Sequence, residues 1–183
     1  ENLRAGDVII SNDVYLGGGN HQPDVQFTRP VFVDGEIIAF VMTRGHWTDI
    51  GGQSPGSYNV ATWDVFAEGV RIPPVLLYRN DEPVRDVLRL VMCNSRSHDE
   101  LSLDIQAQYA GTFVGDRRLQ ALAGKYGAAQ VVAAMRRSLD HSEALIRAAI
   151  RMIPNRTYAA EDHLDPIEAP GWQQESPLLK VKV

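Results

Sequence analysis

The chain has 183 residues, 44% of them apolar and 22% charged, with a formal net charge of −5. That length is in the range of a single domain with a real core, and mild acidity without any Lys/Arg-rich run excludes the electrostatic footprint of a nucleic-acid binder. A lone cysteine, Cys93, excludes an internal disulfide and points to a reducing, cytoplasmic setting; no apolar run approaches the roughly 20 residues of a membrane span, and no signal-peptide pattern opens the chain.

The first predicted element is a strand over Asp7 to Ile10. A glycine-rich loop follows, Gly17-Gly18-Gly19, and ends in His21-Gln22-Pro23-Asp24. Val25 to Val33 and Glu36 to Arg44 are rich in Val, Ile, Phe and Thr. They flank Asp34-Gly35, the dipeptide of a two-residue type I′ turn, and so predict a hairpin. Pro30 has no N–H to give to a ladder, which implies a sheet edge or an irregularity there. Gln53 to Val70 is loop-like, and its Trp63 and Phe66 either pack on the hairpin or line a pocket. Arg71 is either a strand-end cation or a binder of a carboxylate-like oxygen.

Ile72 to Tyr78 predicts a strand entered through Pro73-Pro74, with Arg79 to Glu82 as its closing turn. Pro83 suits the first turn of a helix over Val84 to Met92, whose Val84, Val87, Leu88 and Val91 share a face; Cys93 continues that face and is expected to be buried. Ser97-His98-Asp99-Glu100 has the capping-box form and predicts a helix to Tyr126. Gly111 and Gly115 lie on one side of it, where a close backbone neighbour fits. A second helix runs to Ile153 and carries Val132, Met135, Leu139, Ser142, Ile146, Ala149 and Ile153 as a narrow apolar seam. The two helices are therefore expected to pack as an antiparallel hairpin. Thr157 to Val183 returns to strands, with an acidic cluster around His163 that reads as a solvated turn or a second metal position. The predicted fold is α+β: residues 1–96 a mixed or antiparallel β-rich region built on the metal-site hairpin, 97–153 the helical hairpin, 154–183 return strands incomplete at the C-terminus. The abrupt ends imply a fragment of a larger subunit.

The candidate chemistry sits at the hairpin's open end. An ideal I′ hairpin sets His46 opposite Pro23, Gly45 opposite Asp24 and Thr48 opposite His21, which gathers His21, Asp24 and His46 at one end of the ribbon. Period-two alternation then aims Asp24 and His46 at opposite faces, unless a one-residue bulge or a twisted exit at Gly45 brings them together. Two imidazoles and a carboxylate suit a divalent cation such as Zn, Mn or Fe, with positions left open for water or substrate. Asp49 and Asp13 are candidates for proton handling or for support of those ligands, and Asp49 is also a candidate fourth ligand. The competing reading is that Asp, Asn and Gly crowd these loops for backbone reasons alone. The same donor set occurs in iron oxygenases, but the long helices argue against the closed double-sheet roll such sites occupy.

Asn12 to Gly18, His21 to Asp24, Arg44 to Gly52, Ser54 to Ser57, Glu68 to Pro74, Asn94 to Arg96, Asp104 to Gln108 and Gly115 to Leu119 together resemble the hydantoinase B/oxoprolinase family. The family includes B subunits of ATP-dependent hydantoinases, the matching region of 5-oxoprolinase, and α-type subunits of acetone and acetophenone carboxylases. The resemblance implies metal ligands at His21, Asp24 and His46. It also implies hydrolysis of a cyclic amide within a hetero-oligomer, with ATP used on a hydantoinase A-like partner subunit to phosphorylate a carbonyl oxygen. Carboxylation of a ketone is the alternative, and a non-catalytic assembly module a second one. The chain departs from the family pattern at Val14, where proline is common, at Trp47, where a second histidine is common, and by one extra residue near Gly19-Asn20. Gly17-Gly18-Gly19 lacks the Lys-Ser/Thr of a phosphate-cradling loop, so ATP is not expected to bind through one here.

Overall fold

The computed structural model describes residues 3–59, 62, 64–169, 172–174 and 176–183, without the side chains of 167–169 and 172–174. Trp63, expected in the core or at a pocket, lies outside the described residues. The chain divides into two compact units, Glu1–Ala134 and Met135–Val183.

In the first unit, β1 (Val8–Ser11), β2 (Asp24–Val33), β3 (Glu36–His46), β4 (Val75–Arg79) and β5 (Glu82–Pro83) form an antiparallel sheet of order β3-β2-β1-β4-β5. The β2–β3 hairpin closes at Asp34-Gly35, both with positive φ (51° and 84°), and Val33 faces Glu36 as the turn chemistry predicts. The register then shifts. Phe32 faces Ile37 but Val31 faces Ala39, so Ile38 is an extra residue in β3, and from there to the open end each β2 residue meets the partner one place further along. Pro30 lies in β2 beyond its pairing with β1, which covers only Gln26, Phe27 and Thr28, so its missing N–H breaks no ladder on that side.

One face of the sheet is covered by α2 (His98–Tyr126), with α1 (Arg85–Met92) beside it. Val8, Ile10, Val25, Phe27, Trp47, Ile50, Leu77, Leu101 and Ile105 make the common core. Gly111 and Gly115 let α2 press on β3. A Cβ at Gly115 would stand 2.6 Å from Val41 Cγ1, and one at Gly111 2.9 Å from Thr43 Cγ2, so the close neighbour expected from their spacing is the hairpin's second strand. Arg29, fully buried between sheet and helix, is held by Asp81 at 2.7 Å, Thr112 at 3.3 Å and Asp116 at 3.9 Å, with the Tyr109 and Phe113 rings 5.1 and 5.6 Å from its Cζ. A buried guanidinium needs such company, because an uncompensated charge in the core costs several kcal/mol.

Several expectations are corrected. The predicted strand from Ile72 begins only at Val75, since Pro73 and Pro74 have no N–H to pair, while the Ile72 carbonyl accepts from Asn12 N and Asp13 N and its own N–H donates to the Asn12 side-chain Oδ1. Pro83 pairs with Tyr78 in β5, so α1 starts two residues later at Arg85. Cys93 is exposed, because α1 ends at Met92 and the chain turns there. Ser97 makes no side-chain cap on α2, so the capping box does not form.

Gly127 alone joins Tyr126 to α3 (Ala128–Arg151), which runs from the first unit into the second. The seam residues Leu139, Ser142, Ile146, Ala149 and Ile153 are exposed.

In the second unit β6 (Ala159–His163) pairs with β9 (Leu178–Lys182), which supplies the partner the final strand requires, and β7 (Ile167–Ala169) pairs with β8 (Trp172–Gln174). Glu161, Asp162 and His163 lie on an exposed strand rather than in a turn, with Lys180 Nζ 3.0 Å from Glu161 Oε1.

Candidate functional site

The open end of the β2–β3 hairpin is tied by one carbonyl. Pro23 O accepts from both Val25 N and Trp47 N at 2.9 Å, which locks the exit of β3 against the entry of β2. His21, just ahead of β2, and His46, the last residue of β3, then meet with Nε2 to Nε2 at 3.0 Å and ring centroids 5.0 Å apart. Two imidazole nitrogens at that distance cannot both present a lone pair to each other: either one Nε2–H donates to the other ring, or both lone pairs serve a shared cation. Two nitrogens bound to one ion at about 2.1 Å are about 3.0 Å apart at the right angles of octahedral coordination and about 3.4 Å apart in a tetrahedron, so the spacing fits adjacent octahedral positions and a tetrahedral ion needs a small opening of the pair.

Asp24 faces His46 directly across the ladder, on the same side of the sheet, because of the extra residue Ile38. The repair the sequence calls for is thus a bulge, placed near the turn and not at Gly45. Among the described residues no group of three or more His, Cys, Asp or Glu side chains is close enough to hold a metal ion. The structure brings His21 and His46 together and leaves the Asp24 carboxylate across the strand from them, with no hydrogen bond or ion pair of its own among the described residues.

Asp49 is buried, and both its oxygens are taken. Oδ1 accepts from Gly51 N at 2.8 Å and Arg96 N at 3.1 Å, and Oδ2 from Gly56 N and the Arg96 guanidinium, each at 2.9 Å. Burial pushes its pKa up, but the N–H groups of Gly51, Arg96 and Gly56 and the Arg96 side chain outweigh this and hold it at about 2. Of the roles the sequence offers Asp49, these four contacts match support: the carboxylate fastens the 49–56 loop to Arg96. Arg96 gained no role from sequence, although it lies in a quoted motif. The signal is an Arg in the short link between α1 and α2, with a buried Asp to answer.

Asp13 is likewise a fastener. Its Oδ1 accepts from Tyr15 N at 2.8 Å and Leu16 N at 2.9 Å, and its Oδ2 lies 2.9 Å from Arg71 Nε. The Leu16 N–H lowers its pKa most, with Tyr15 and Arg71 adding to this against the effect of burial. Next to it, Asn12 Nδ2 donates to both Gln22 O and Val70 O at 2.9 Å, so one amide holds the His21 segment and the Arg71 segment side by side.

Trp47, in the place of the family's second histidine, is a core residue. It is buried, edge-on to Phe27, and donates Nε1–H to Gln108 Oε1 at 2.6 Å. Gln108 also donates through Nε2 to Val25 O at 2.9 Å and lies under Gly45, where a Cβ would come within 3.2 Å of it. Sequence reasoning missed Gln108. The available signal was a polar side chain on the buried stripe of α2, between Ile105 and Thr112.

The hydantoinase B/oxoprolinase family pattern matches residues 1–183. The β subunit of caprolactamase from Pseudomonas jessenii is 37% identical over 160 residues, 87% of this chain and 27% of that protein. The 5-oxoprolinase of Dictyostelium discoideum is 32% identical over 146 residues, 80% of this chain and 12% of that protein. The crystal structure of the ATP-dependent caprolactamase from P. jessenii superposes on the whole chain with a TM-score of 0.89 at 34% identity, covering 31% of the caprolactamase chain. The chain spans about a quarter of the caprolactamase subunit's length and less of the oxoprolinase. With the whole chain matched, and with the hairpin and its histidines set out as above, the protein belongs to the hydantoinase B/oxoprolinase family.

Proposed function

We propose that this chain is part of the metal-bearing subunit of an ATP-dependent enzyme that hydrolyses a cyclic amide, with ATP used on a hydantoinase A-like partner subunit in a cytoplasmic hetero-oligomer. Family membership and the ATP-dependent caprolactamase relative support the reaction class. The observation that carries the metal reading is the 3.0 Å approach of the His21 and His46 Nε2 atoms. His21, Asp24 and His46 would hold a divalent cation. Facing residues of an antiparallel pair have Cβ atoms about 5 Å apart, so a rotamer change brings the Asp24 carboxylate to the pair. A cation bound there supplies Lewis-acid polarisation of a carbonyl oxygen, or a more acidic water.

The chain's own residues do the rest. Pro23 and the Gln108–Trp47 pair fix the direction of both ligand-bearing segments, and Asp49 and Asp13 hold the flanking loops. Neither of these two moves a proton.

The test is metal content together with turnover. The purified full-length complex should hold stoichiometric metal and couple ATP hydrolysis to opening of hydantoin, 5-oxoproline or caprolactam. His21→Ala and His46→Ala should each lose both metal and turnover. Full metal retention in both variants would overturn the site, and activity that depends on bicarbonate with ketones would replace the hydrolase by a carboxylase.

A further inference from the structure

Beside the histidine pair stands a cation that the proposed chemistry does not use. Arg71 Nε is 2.9 Å from Asp13 Oδ2, and the Asp13 side chain is buried, so one edge of the guanidinium is gripped from below. Its two terminal nitrogens have no hydrogen-bond or ion-pair partner among the described residues. The Tyr15 and Phe66 rings lie 5.9 and 5.5 Å from Cζ, and both are largely open to solvent, 74% and 76% exposed. Two large aromatics left in water around a clamped, half-exposed arginine are not explained by core packing.

The segment is held in place from several sides. Asn12 keeps the carbonyls of Gln22 and Val70 within about 6 Å of each other, since each is 2.9 Å from its Nδ2. Gln22 Nε2 reaches Val65 O at 3.3 Å, next to Phe66, and Gln26 Nε2 reaches Gly17 O at 3.3 Å in the Tyr15 loop. Arg71, Tyr15 and Phe66 are thus neighbours of the loop that carries His21.

We propose that Arg71 is a binding site for an oxyanion, the carboxylate or phosphoryl group of a small molecule, with Tyr15 and Phe66 as its apolar walls. The gripped Nε edge leaves the opposite fork of two N–H donors without a partner among the described residues, and that fork matches two oxygens on one centre. Asp13 cancels the net charge of the guanidinium, so recognition comes from directed donors and not from long-range attraction. The site needs no metal at His21, so it stands or falls separately from the proposed function.

The test is titration of the full-length protein, stripped of metal with chelator, with inorganic phosphate and with acetate, read by the NMR signal of the Arg71 Nε–H. The expected result is a saturable shift. Arg71→Gln should bind about ten- to a hundredfold more weakly, the worth of a charge-assisted hydrogen bond, as followed by calorimetry. Arg71→Lys keeps the charge and the Asp13 pairing but loses the fork, and should also weaken binding. Tighter phosphate than acetate identifies a phosphoryl ligand, and the reverse a carboxylate. No shift with either ion, or Arg71→Lys binding as well as the parent, would overturn the site.

Discussion

Asp24 and His46 face each other across β2 and β3 because of one unpaired residue, Ile38, near the far end of the hairpin. Were Ile38 paired with Val31 instead of bulged, the I′ turn would set Asp24 against Gly45, and period two would turn its carboxylate away from the histidine. Deleting Ile38 removes the bulge but keeps Val31 opposite Ala39 and Asp24 opposite His46. The expected outcome is a protein with near-parental far-UV circular dichroism and unchanged metal content. A severalfold loss of metal in the deletion would show that the facing of Asp24 and His46 is not sufficient for binding.

Gln108 is the helix's hold on the site. Gln108→Leu leaves the Trp47 Nε1–H buried without a partner, at about 1–3 kcal/mol for such a group, and takes one donor from the Val25 carbonyl. Urea unfolding should show a loss of about 2 kcal/mol or more, with tryptophan emission altered in the native state. A neutral substitution would mean that water replaces the amide at both groups.

Asp49 sets an acid-limb dependence whose sign follows from its depressed pKa. The ordinary value is 3.8 and the folded value about 2, so between these the unfolded chain binds more protons and stability rises with pH. The contribution, on the order of 2 kcal/mol for a buried group, is fully present above about pH 4 and is lost as pH falls toward 2. Asp49→Asn should be less stable at neutral pH and should show a flatter decline across that window. The two stability profiles can be compared by denaturant melts at a series of pH values.

Gly115→Ala places a methyl 2.6 Å from Val41 Cγ1 and should cost about 1–3 kcal/mol by overpacking. Val41→Ala in the same chain makes room, so the double variant should recover part of that loss. A double-mutant cycle with no coupling would refute the proposed contact between α2 and β3.

The hairpin was legible because its signals are local: Asp34-Gly35 dictates the turn, and alternating Val, Phe and Thr dictate the strands. The meeting of His21 and His46 followed from that geometry. The place of the bulge did not, since an extra residue in a strand leaves no mark when Ile37, Ile38 and Ala39 are all plausible strand residues. Asp49 and Asp13 read as chemical groups because residue type shows a carboxylate but not the N–H groups that fill its oxygens; Arg96 and Arg71 are far away in sequence. Ser97 had the right spacing for a cap, yet its neighbour Ser95 takes the Ser97 N–H instead. The seam of α3 was legible as a pattern, and its residues from Leu139 onward are exposed.

Leu139, Leu145, Ile146 and Ile150 leave a long run of hydrocarbon on α3 in contact with water, and Met152 just past its end adds to it. Sulfate and phosphate salts strengthen the drive to hide such surface. For this chain in isolation, salting-out should begin at that helix while the sheet and its histidines stay intact, so loss from solution in ammonium sulfate would report on colloidal behaviour and not on unfolding.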